Sequence, residues 1–391
     1  MSLSTNFPTI RPTLLLDFAK SRTVDPRITF TRASTATYFD EDGILQSAAA
    51  DRPRIDFNPS TLVCNGLLIE EQRTNLLLYS EELDTGWTNG SAATWQFNSG
   101  VAPDGATTAL GVDGLSGFAI ISSGTTLYRT GTAISSSTAY TFSIFVRTKT
   151  GTATNIALRI NETGGNSTVS SAFTVTTNWQ RISLSVTSAA GATAVTVLLG
   201  TLTGTADLYI WGAQLEAGAF PTSYIPTTTT ALTRNADVAT MTGTNFSSWY
   251  NASEGTFVNE FSSFSTATHG IIYANNGAVN EAIRVFYNAA VSTYAYSVRS
   301  SASEQSSITN LGALSVSSVI KIATAYKVND LAASRNGAAA LTDTSATLPT
   351  GIDRLEIGVT QAANTNLNGH IRRLTYYPAR LVNAQLQALT L

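Results

Sequence analysis

The sequence predicts an all-β protein with two antiparallel β-sandwich (jelly-roll) domains preceded by an extended N-terminal arm. Two observations support this fold class. The 391-residue chain is 43% hydrophobic but only 13% charged, about half the usual charged share, so Ser, Thr, Ala, Gly and Asn stand where helical proteins carry Lys and Glu. Short segments of alternating apolar and polar residues also recur between Gly-, Asn- and Thr-rich turns, which is typical of antiparallel sandwiches.

The first 73 residues are expected to form the arm. They are richer in charge than the rest of the chain, and five prolines divide them into short extended pieces. Strand-like pieces occur at 13–18 and 27–31, and residues 40–43, Asp-Glu-Asp-Gly, are a hairpin turn signal. Because the segment has few long apolar runs, it cannot build a core of its own. We therefore predict that residues 1–73 attach the protein to another surface.

Arginine is the side chain we expect to make this attachment. Its rigid fork of donors suits carboxylates and carbonyls of a neighbouring chain. The predicted docking residues are Arg11, Arg22, Arg27, Arg32, Arg52, Arg54 and Arg73. The alternative that the sequence leaves open is that the arm packs only on the 75–226 sandwich of its own chain.

Residues 75–226 are predicted to be the first sandwich. Alternating strand patterns occur at 139–147, 155–160, 180–186, 194–199 and 207–211. Within the first of these, Tyr140, Phe142, Ile144 and Val146 would share one face of the sheet, since side chains alternate along a strand. Residues 221–235, rich in Thr and Pro, are predicted to be an extended linker.

Residues 237–391 are predicted to be the second sandwich. Its expected strands are 255–261, 270–273, 282–287, 292–298, 319–326 and 354–358. One helix is predicted, at 382–389, because Leu381, Gln385, Leu386 and Leu389 fall on one helical face.

No motif in the sequence predicts catalysis, a cofactor or a metal. The nucleophile-elbow, phosphate-loop, dinucleotide and zinc-protease patterns are all missing. His269 and His370 have no ligand spacing, and the single cysteine, Cys64, has no partner pattern. Glu254 and Glu260 would share a strand face, but a glycosidase needs two carboxyl groups that face each other across a cleft.

Aromatic residues are the remaining candidates for a binding role, through stacking on sugar rings. Most tryptophans are expected in the core, and Trp179 and Trp211 in particular look like packing residues. Trp87 and Trp249, which stand near Gly- and Asn-rich turns, are the candidates for surface contact with a glycan.

The charge of the chain argues against two classes of partner. The net charge is −3 and there is no basic run, so binding to nucleic acid is not expected. No apolar run approaches the length of a membrane span, and the N-terminus has no signal-peptide pattern, so neither membrane insertion nor export is expected.

Three stretches resemble proteins of tailed-bacteriophage particles. The first comprises 30–38, Asp42-Gly43, Arg52-Pro53-Arg54, 66–70 and 73–80, and is similar to the N-terminal segment of phage virion proteins. The second, 207–218 with 221–226, resembles the closing strand of a carbohydrate-binding-module-like jelly roll. The third, 321–326, 336–337, 355–358 and 368–377 with the last helix, resembles a concanavalin A-like (laminin G-like) sandwich.

This resemblance implies a structural protein of the virion: a tail fibre, a receptor-binding protein or a capsid decoration protein. Its partners would be other virion structural proteins and further copies of itself, with a trimer expected, and it would be assembled in the host cytoplasm. The alternative is a module that binds a glycan of the host surface. A polysaccharide depolymerase is a third hypothesis and ranks last.

Overall fold

The computed structural model describes residues 7–90, 93–116, 127–202, 204–360 and 365–391. Antiparallel sheet dominates these ranges, which confirms the predicted all-β class. Their helices are short: α1 (Phe18–Ser21), α2 (Thr244–Ser247) and α3 (Asn383–Thr390). None of the described helices has the length and hydrophobicity that a bilayer span requires.

Strands occur throughout the described ranges. The N-terminal strands are β1 (Leu14–Asp17), β2 (Thr29–Thr31), β3 (Ala36–Phe39), β4 (Leu45–Ala48), β5 (Ile55–Phe57), β6 (Cys64–Ile69) and β7 (Arg73–Asn75). The central strands are β8 (Thr88–Asn89), β9 (Thr94–Gly100), β10 (Ala109–Ser116), β11 (Leu127–Ala133), β12 (Ala139–Thr148), β13 (Thr154–Glu162), β14 (Ser167–Val169), β15 (Phe173–Val175), β16 (Gln180–Thr187), β17 (Ala194–Thr201) and β18 (Thr205–Ala217). The C-terminal strands are β19 (Leu232–Arg234), β20 (Val238–Thr242), β21 (Glu254–Ser263), β22 (His269–Asn275), β23 (Ala282–Asn288), β24 (Thr293–Ser300), β25 (Ser303–Glu304), β26 (Ile320–Lys327), β27 (Leu331–Arg335), β28 (Leu341–Asp343), β29 (Arg354–Ile357) and β30 (Gly369–Tyr377).

The first sandwich consists of two sheets from the central strands. One has five strands in the order β16-β12-β18-β10-β9, and the other has the order β14-β13-β17-β11-β8 with β15 beside β13. The core between them includes the predicted inward face of β12, formed by Tyr140, Phe142, Ile144 and Val146. The alternation read from the sequence is thus confirmed for this strand.

The second sandwich also has two sheets. One has the order β28-β27-β26-β21-β30-β6-β5, with β1 pairing to β30, and the other has the order β2-β20-β29-β22-β23-β24-β25. Helix α3 packs its Leu386 against the outer side of the first of these sheets, together with Leu381 and, partly buried, Leu389. The predicted C-terminal helix and its apolar face are confirmed.

The N-terminal segment is part of the second sandwich, which corrects its description as a separate arm. Its strands β1, β5 and β6 extend the sheet of β30, and β2 extends the opposite sheet. Its apolar side chains, among them Leu16, Phe30, Leu67 and Ile69, lie in the core of that sandwich. The segment indeed lacks a core of its own, but the surface that it covers belongs to its own chain. The alternative that the segment packs only on the 75–226 sandwich is wrong as well, because β1, β2, β5 and β6 belong to the sheets of the second sandwich.

Gly66 explains why β6 can lie so close to β30. Its φ is +109°, and a Cβ atom there would stand 2.3 Å from the carbonyl oxygen of Ile371. A larger residue would clash with backbone, which has no flexible end to move aside. Glycine is therefore required where the N-terminal segment joins the sheet.

The stretch predicted as a linker is extended but not free. Thr222, Tyr224 and Ile225 are buried, and β19 pairs with β7, with Leu232 opposite Asn75 and Arg234 opposite Arg73. Residues 221–235 therefore bind the N-terminal segment and both sandwiches together, which corrects the expectation of a simple tether.

A buried network of five charged side chains lies where these three parts meet. Asp237 accepts from Arg32 Nη1 at 3.0 Å and from Arg54 Nη2 at 2.6 Å. Glu70 is paired with Arg54 at 2.8 Å and with Arg234 at 3.6 Å. All five side chains are almost completely excluded from solvent, so each charge depends on its partners in this network.

Candidate functional site

The two tryptophans predicted to contact a glycan are buried, which corrects that prediction. Trp87 is 6% exposed and packs in the core of the first sandwich. Trp249 is 3% exposed, donates from Nε1 to the carbonyl of Asn245 at 2.8 Å, and packs on Phe246 and Tyr376. A turn-rich neighbourhood in the sequence does not distinguish a surface tryptophan from one that closes the end of a core.

The seven predicted docking arginines have three different environments. Arg32 and Arg54 belong to the buried network, and Arg73 is buried beside Glu71, so these three are occupied within the chain and the prediction is corrected for them. Arg22 pairs with Glu41 and Arg27 with Asp25. Arg11 and Arg52 are exposed, and for these four surface arginines docking stays a prediction.

The residues considered for catalysis are held in structural contacts. Glu254 lies 4.0 Å from Lys327, and Glu260 pairs with Arg372 at 3.1 Å. Burial lowers the pKa of His269 to about 4, and its Nδ1 lies 2.8 Å from the carbonyl of Ala267. Within the described ranges no three His, Cys, Asp or Glu side chains are grouped as metal ligands.

The candidate site is a cleft on the outer face of the five-stranded sheet, which we call the junction cleft. It consists of an inner cavity of about 390 Å³ and an outer cavity of about 430 Å³. Both cavities are lined by Phe39, Phe145 and Arg181, so they adjoin each other across these side chains. The inner cavity reaches the second sandwich at Phe264 and His370, and the outer cavity opens beside Trp179.

Two rows of side chains across the sheet form the floor of this cleft. Arg181 on β16, Phe145 on β12 and Trp211 on β18 are register partners in the first row. In the second row Arg147 lies opposite Tyr209. Successive side chains of a strand point to opposite faces of the sheet. Because Phe142, Ile144 and Val146 of β12 face the core, Phe145 and Arg147 face the opposite side, where the cleft lies.

The hairpin β3–β4 covers part of this floor. Its turn is the one that the sequence predicts at 40–43, where Asp40 Oδ1 accepts from the amides of Asp42 and Ile44. Leu45 and Phe39 pack on Phe145 and Tyr224, and the Phe39 and Phe145 rings are edge to face with centroids 6.2 Å apart. The hairpin therefore converts an open sheet face into a walled cleft.

The two arginines of the floor differ in how they are held. Arg181 donates to the carbonyl of Thr222 and, at 3.0 Å, to the hydroxyl of Ser143. Burial lowers the pKa of Arg181, an effect that the nearby carboxylates of Glu216 and Glu70 oppose. The guanidinium of Arg147 lies 5.3 Å from the centroid of Trp179 and 4.7 Å from that of Tyr209, which places it against two aromatic rings.

Several polar side chains lie around the inner cavity of the junction cleft. His370 Nε2 lies 2.9 Å from Asp56 Oδ2, and Asp56 Oδ1 accepts from the amide of Phe39 at 2.9 Å. On the opposite wall the Thr222 hydroxyl donates to Glu216 at 2.6 Å and the Ser223 hydroxyl donates to Glu70 at 2.7 Å. Two buried carboxylates thus fix the loop that forms this wall, so the cavity is preformed.

The sequence could have identified part of this site. Period-two alternation assigns Phe145 and Arg147 to the face opposite the β12 core, and an Arg beside an aromatic on an outer face suggests a contact surface. Trp179, expected in the core, is only half-buried and lines the outer cavity, which corrects that expectation, whereas Trp211 is buried as expected. No local signal brings His370 to Asp56, since 314 residues separate them.

Comparison with known proteins identifies no family. No family model matches the sequence, and no curated protein matches it. Among solved structures, a Trypanosoma rangeli sialidase in complex with 2,3-difluorosialic acid is 14% identical with a TM-score of 0.32. The match covers 39% of this chain and 26% of the sialidase, so it spans about a quarter of that protein.

Two smaller proteins show a similar degree of likeness. The CBM40 of Ruminococcus gnavus IT-sialidase, bound to α2,6 sialyllactose, is 17% identical with a TM-score of 0.30 over 36% of this chain and 84% of its own. The CBM22-1 xylan-binding domain from Paenibacillus barcinonensis Xyn10C is 12% identical with a TM-score of 0.31 over 39% of this chain and 99% of its own.

Proposed function

We propose that the protein is a glycan-binding protein and that the junction cleft is its binding site. The observation that carries this proposal is the combination of aromatic side chains, from Phe39, Phe145 and Trp179, with polar groups that line the same two adjoining cavities. Ligand sites are typically preformed concave surfaces with mainly apolar walls and a few placed polar groups. The hairpin, the fixed 222–223 loop and the sheet floor together meet that description.

The cleft suits sugars because its surfaces are of two kinds. Ring faces such as that of Trp179 pack on the apolar C–H face of a pyranose, while guanidinium, amide and hydroxyl groups bond its hydroxyls. The carboxylates considered for hydrolysis, Glu254 and Glu260, do not line either cavity and are engaged by basic residues. We therefore propose binding without cleavage.

Replacing Trp179 tests this proposal. Against an array of host-surface glycans, Trp179→Ala should weaken binding about tenfold, equivalent to about 1.4 kcal/mol, because the stacking face at the mouth of the cleft is lost. Phe97→Ala is the matched control, since Phe97 is an exposed aromatic on the same sheet that lines neither cavity. Absence of glycan binding by the wild-type protein, or an equal loss in both variants, would refute the assignment.

A second candidate function is that of a structural protein of a phage particle, which is compatible with the first. It rests on the first sequence resemblance, whose Arg32, Arg54 and Glu70 lie in the buried network. A protein of this kind would present its cleft to the host from a tail fibre or capsid as a trimer.

Purified particles provide the test of this second function. The protein should be detected in them by mass spectrometry at a stoichiometry divisible by three, and antibody labelling under the electron microscope should place it on the head or tail. Particles that lack the chain would exclude the virion assignment and leave glycan binding untouched.

A further inference from the structure

Resting on the proposed glycan binding, we propose that the junction cleft selects acidic sugars, whose carboxylate is bound by Arg147 and Arg181 in the outer cavity. Among the residues that the structure describes, the charged side chains that line the outer cavity are those of these two arginines. Ser60, Thr177 and Asn178 are the other polar residues in this lining, and Trp179 supplies an aromatic face.

In the described part of the cleft, Arg147 has aromatic neighbours but no carboxylate partner. Among the residues that the structure describes, no carboxylate lies within 4.0 Å of its guanidinium, and its recorded contacts are with the rings of Trp179 and Tyr209. Its Nε is buried without a hydrogen bond. The neighbouring Lys149, by contrast, is neutralised by Asp113 at 2.7 Å.

Arg181 brings a second positive charge to the same cavity. Its hydrogen bonds go to the carbonyl of Thr222 and the hydroxyl of Ser143, so in the described part of the chain its charge is not matched by a direct ion pair. The carboxylate of Glu216 is engaged by Thr222 and Gln214, and that of Glu70 by Arg54 and Ser223. An anion in the outer cavity would supply the missing partner.

Within the described ranges, the arginines of the buried network have the carboxylate partners that Arg147 and Arg181 lack. There, Arg32, Arg54 and Arg234 each have a carboxylate within 4.0 Å. Placing a guanidinium in a partly dry site without such a partner costs free energy. A ligand carboxylate recovers that cost, and the planar fork of arginine bonds a planar carboxylate at two points. A neutral sugar would leave both charges unmatched.

Matched pairs of probes test the inference. The acids are a galacturonate trisaccharide and 3′-sialyllactose, and their neutral counterparts are the methyl ester of the trisaccharide and lactose. By calorimetric titration, the wild-type protein should bind at least one acid about tenfold or more tightly than its counterpart. That preference should weaken as salt is raised from about 50 to 200 mM, since charge attraction is screened.

Arg147→Gln should remove most of this preference, because affinity for the acid should fall by a larger factor than affinity for its neutral counterpart. Arg284→Gln is the matched control. Arg284 is another partly buried arginine whose guanidinium lies over a ring, 4.7 Å from Phe286, but it is on the second sandwich and lines neither cavity. Melting temperatures of both variants show whether the fold is intact, and a folded Arg181→Gln should lose preference as Arg147→Gln does.

The outcomes separate the two proposals. Equal binding of acid and neutral partner, or a preference that survives Arg147→Gln, overturns the acidic class and leaves glycan binding standing. Binding of neither acid nor neutral sugar, combined with no binding on the glycan array, overturns both. A sulfated disaccharide that binds more tightly than either carboxylate overturns the assignment of the carboxylate as the recognised group.

Discussion

At the scale of single residues, Glu70 shows how strongly the buried network depends on its pairing. Burial by itself would raise the pKa of this carboxyl group, but Arg234 and Arg54, with hydrogen bonds from Ser223, hold the pKa well below its usual range. The ionised form is therefore favoured by folding. Because the folded pKa lies below the ordinary value of 4.5, the stabilisation is fully present above that pH and is lost as the pH falls further.

Glu70→Gln should lower the free energy of unfolding at pH 7 by about 3–5 kcal/mol, because it leaves arginines buried without a partner. The deficit relative to wild type should shrink as the pH is lowered from 6 to 3, since Glu70 of the unfolded wild-type chain takes up a proton over this range while the folded protein keeps the charge. Urea unfolding across this range measures both effects. Glu41→Gln, at an exposed pair with Arg22, should change stability by less than about 1 kcal/mol. A constant deficit at every pH would contradict the role of ionisation.

At the scale of elements, β1 makes the N-terminal segment part of the second sandwich. It pairs with one stretch of β30, with Leu16 opposite Leu374, and β6 pairs with the preceding stretch, with Ile69 opposite Gly369. Two strands that are far apart in the sequence thus share one edge of β30. That edge would otherwise expose unpaired backbone groups and the apolar core behind them.

Neighbouring leucines of β1 allow a matched test of this packing. Leu16 is 2% exposed and faces the core, whereas Leu15 is 56% exposed on the opposite side of the strand. Leu16→Ala should destabilise the protein by about 2–5 kcal/mol through lost burial and the cavity that remains. Leu15→Ala should have an effect near zero. Chemical denaturation of both variants provides the comparison, and equal effects would show that β1 does not dock as described.

At the scale of the whole molecule, the chain begins in the second sandwich, forms the first, and then returns. The crossing points are adjacent, since Asn75 of β7 lies opposite Leu232 of β19. The first sandwich is therefore an insertion between two parts of the second, and 237–391 is not a complete folding unit.

Two truncated proteins test this organisation. Residues 237–391 alone should show no cooperative melt, because β1, β2, β5 and β6 are missing from its sheets. A chain in which residues 76–231 are replaced by a Gly-Asn turn should melt cooperatively, at a lower temperature than the full protein because the Ser223 contacts to Glu70 are lost. A cooperative melt of 237–391 by itself would contradict the inserted arrangement.

Sequence patterns alone determined the class of the protein and most of its individual strands. The pattern at 139–147 corresponds to Ala139–Thr148, and the pattern at 282–287 corresponds to Ala282–Asn288. The hairpin at 40–43 and the C-terminal helix were equally readable. Each of these depends on side-chain periodicity or turn chemistry over a few neighbouring residues, and such local preferences are written directly in the order of the residues.

Only the tertiary structure decided which sheets these strands join and where a ligand site forms. Arg54 meets Asp237 across 183 positions of sequence, and His370 meets Asp56 across 314. No local preference specifies such pairings, because they follow from the simultaneous burial of apolar faces that are far apart in the chain. The junction cleft has the same origin: β3–β4, the sheet of β12 and the second sandwich each supply one wall, and the cavity exists only once all three have packed together.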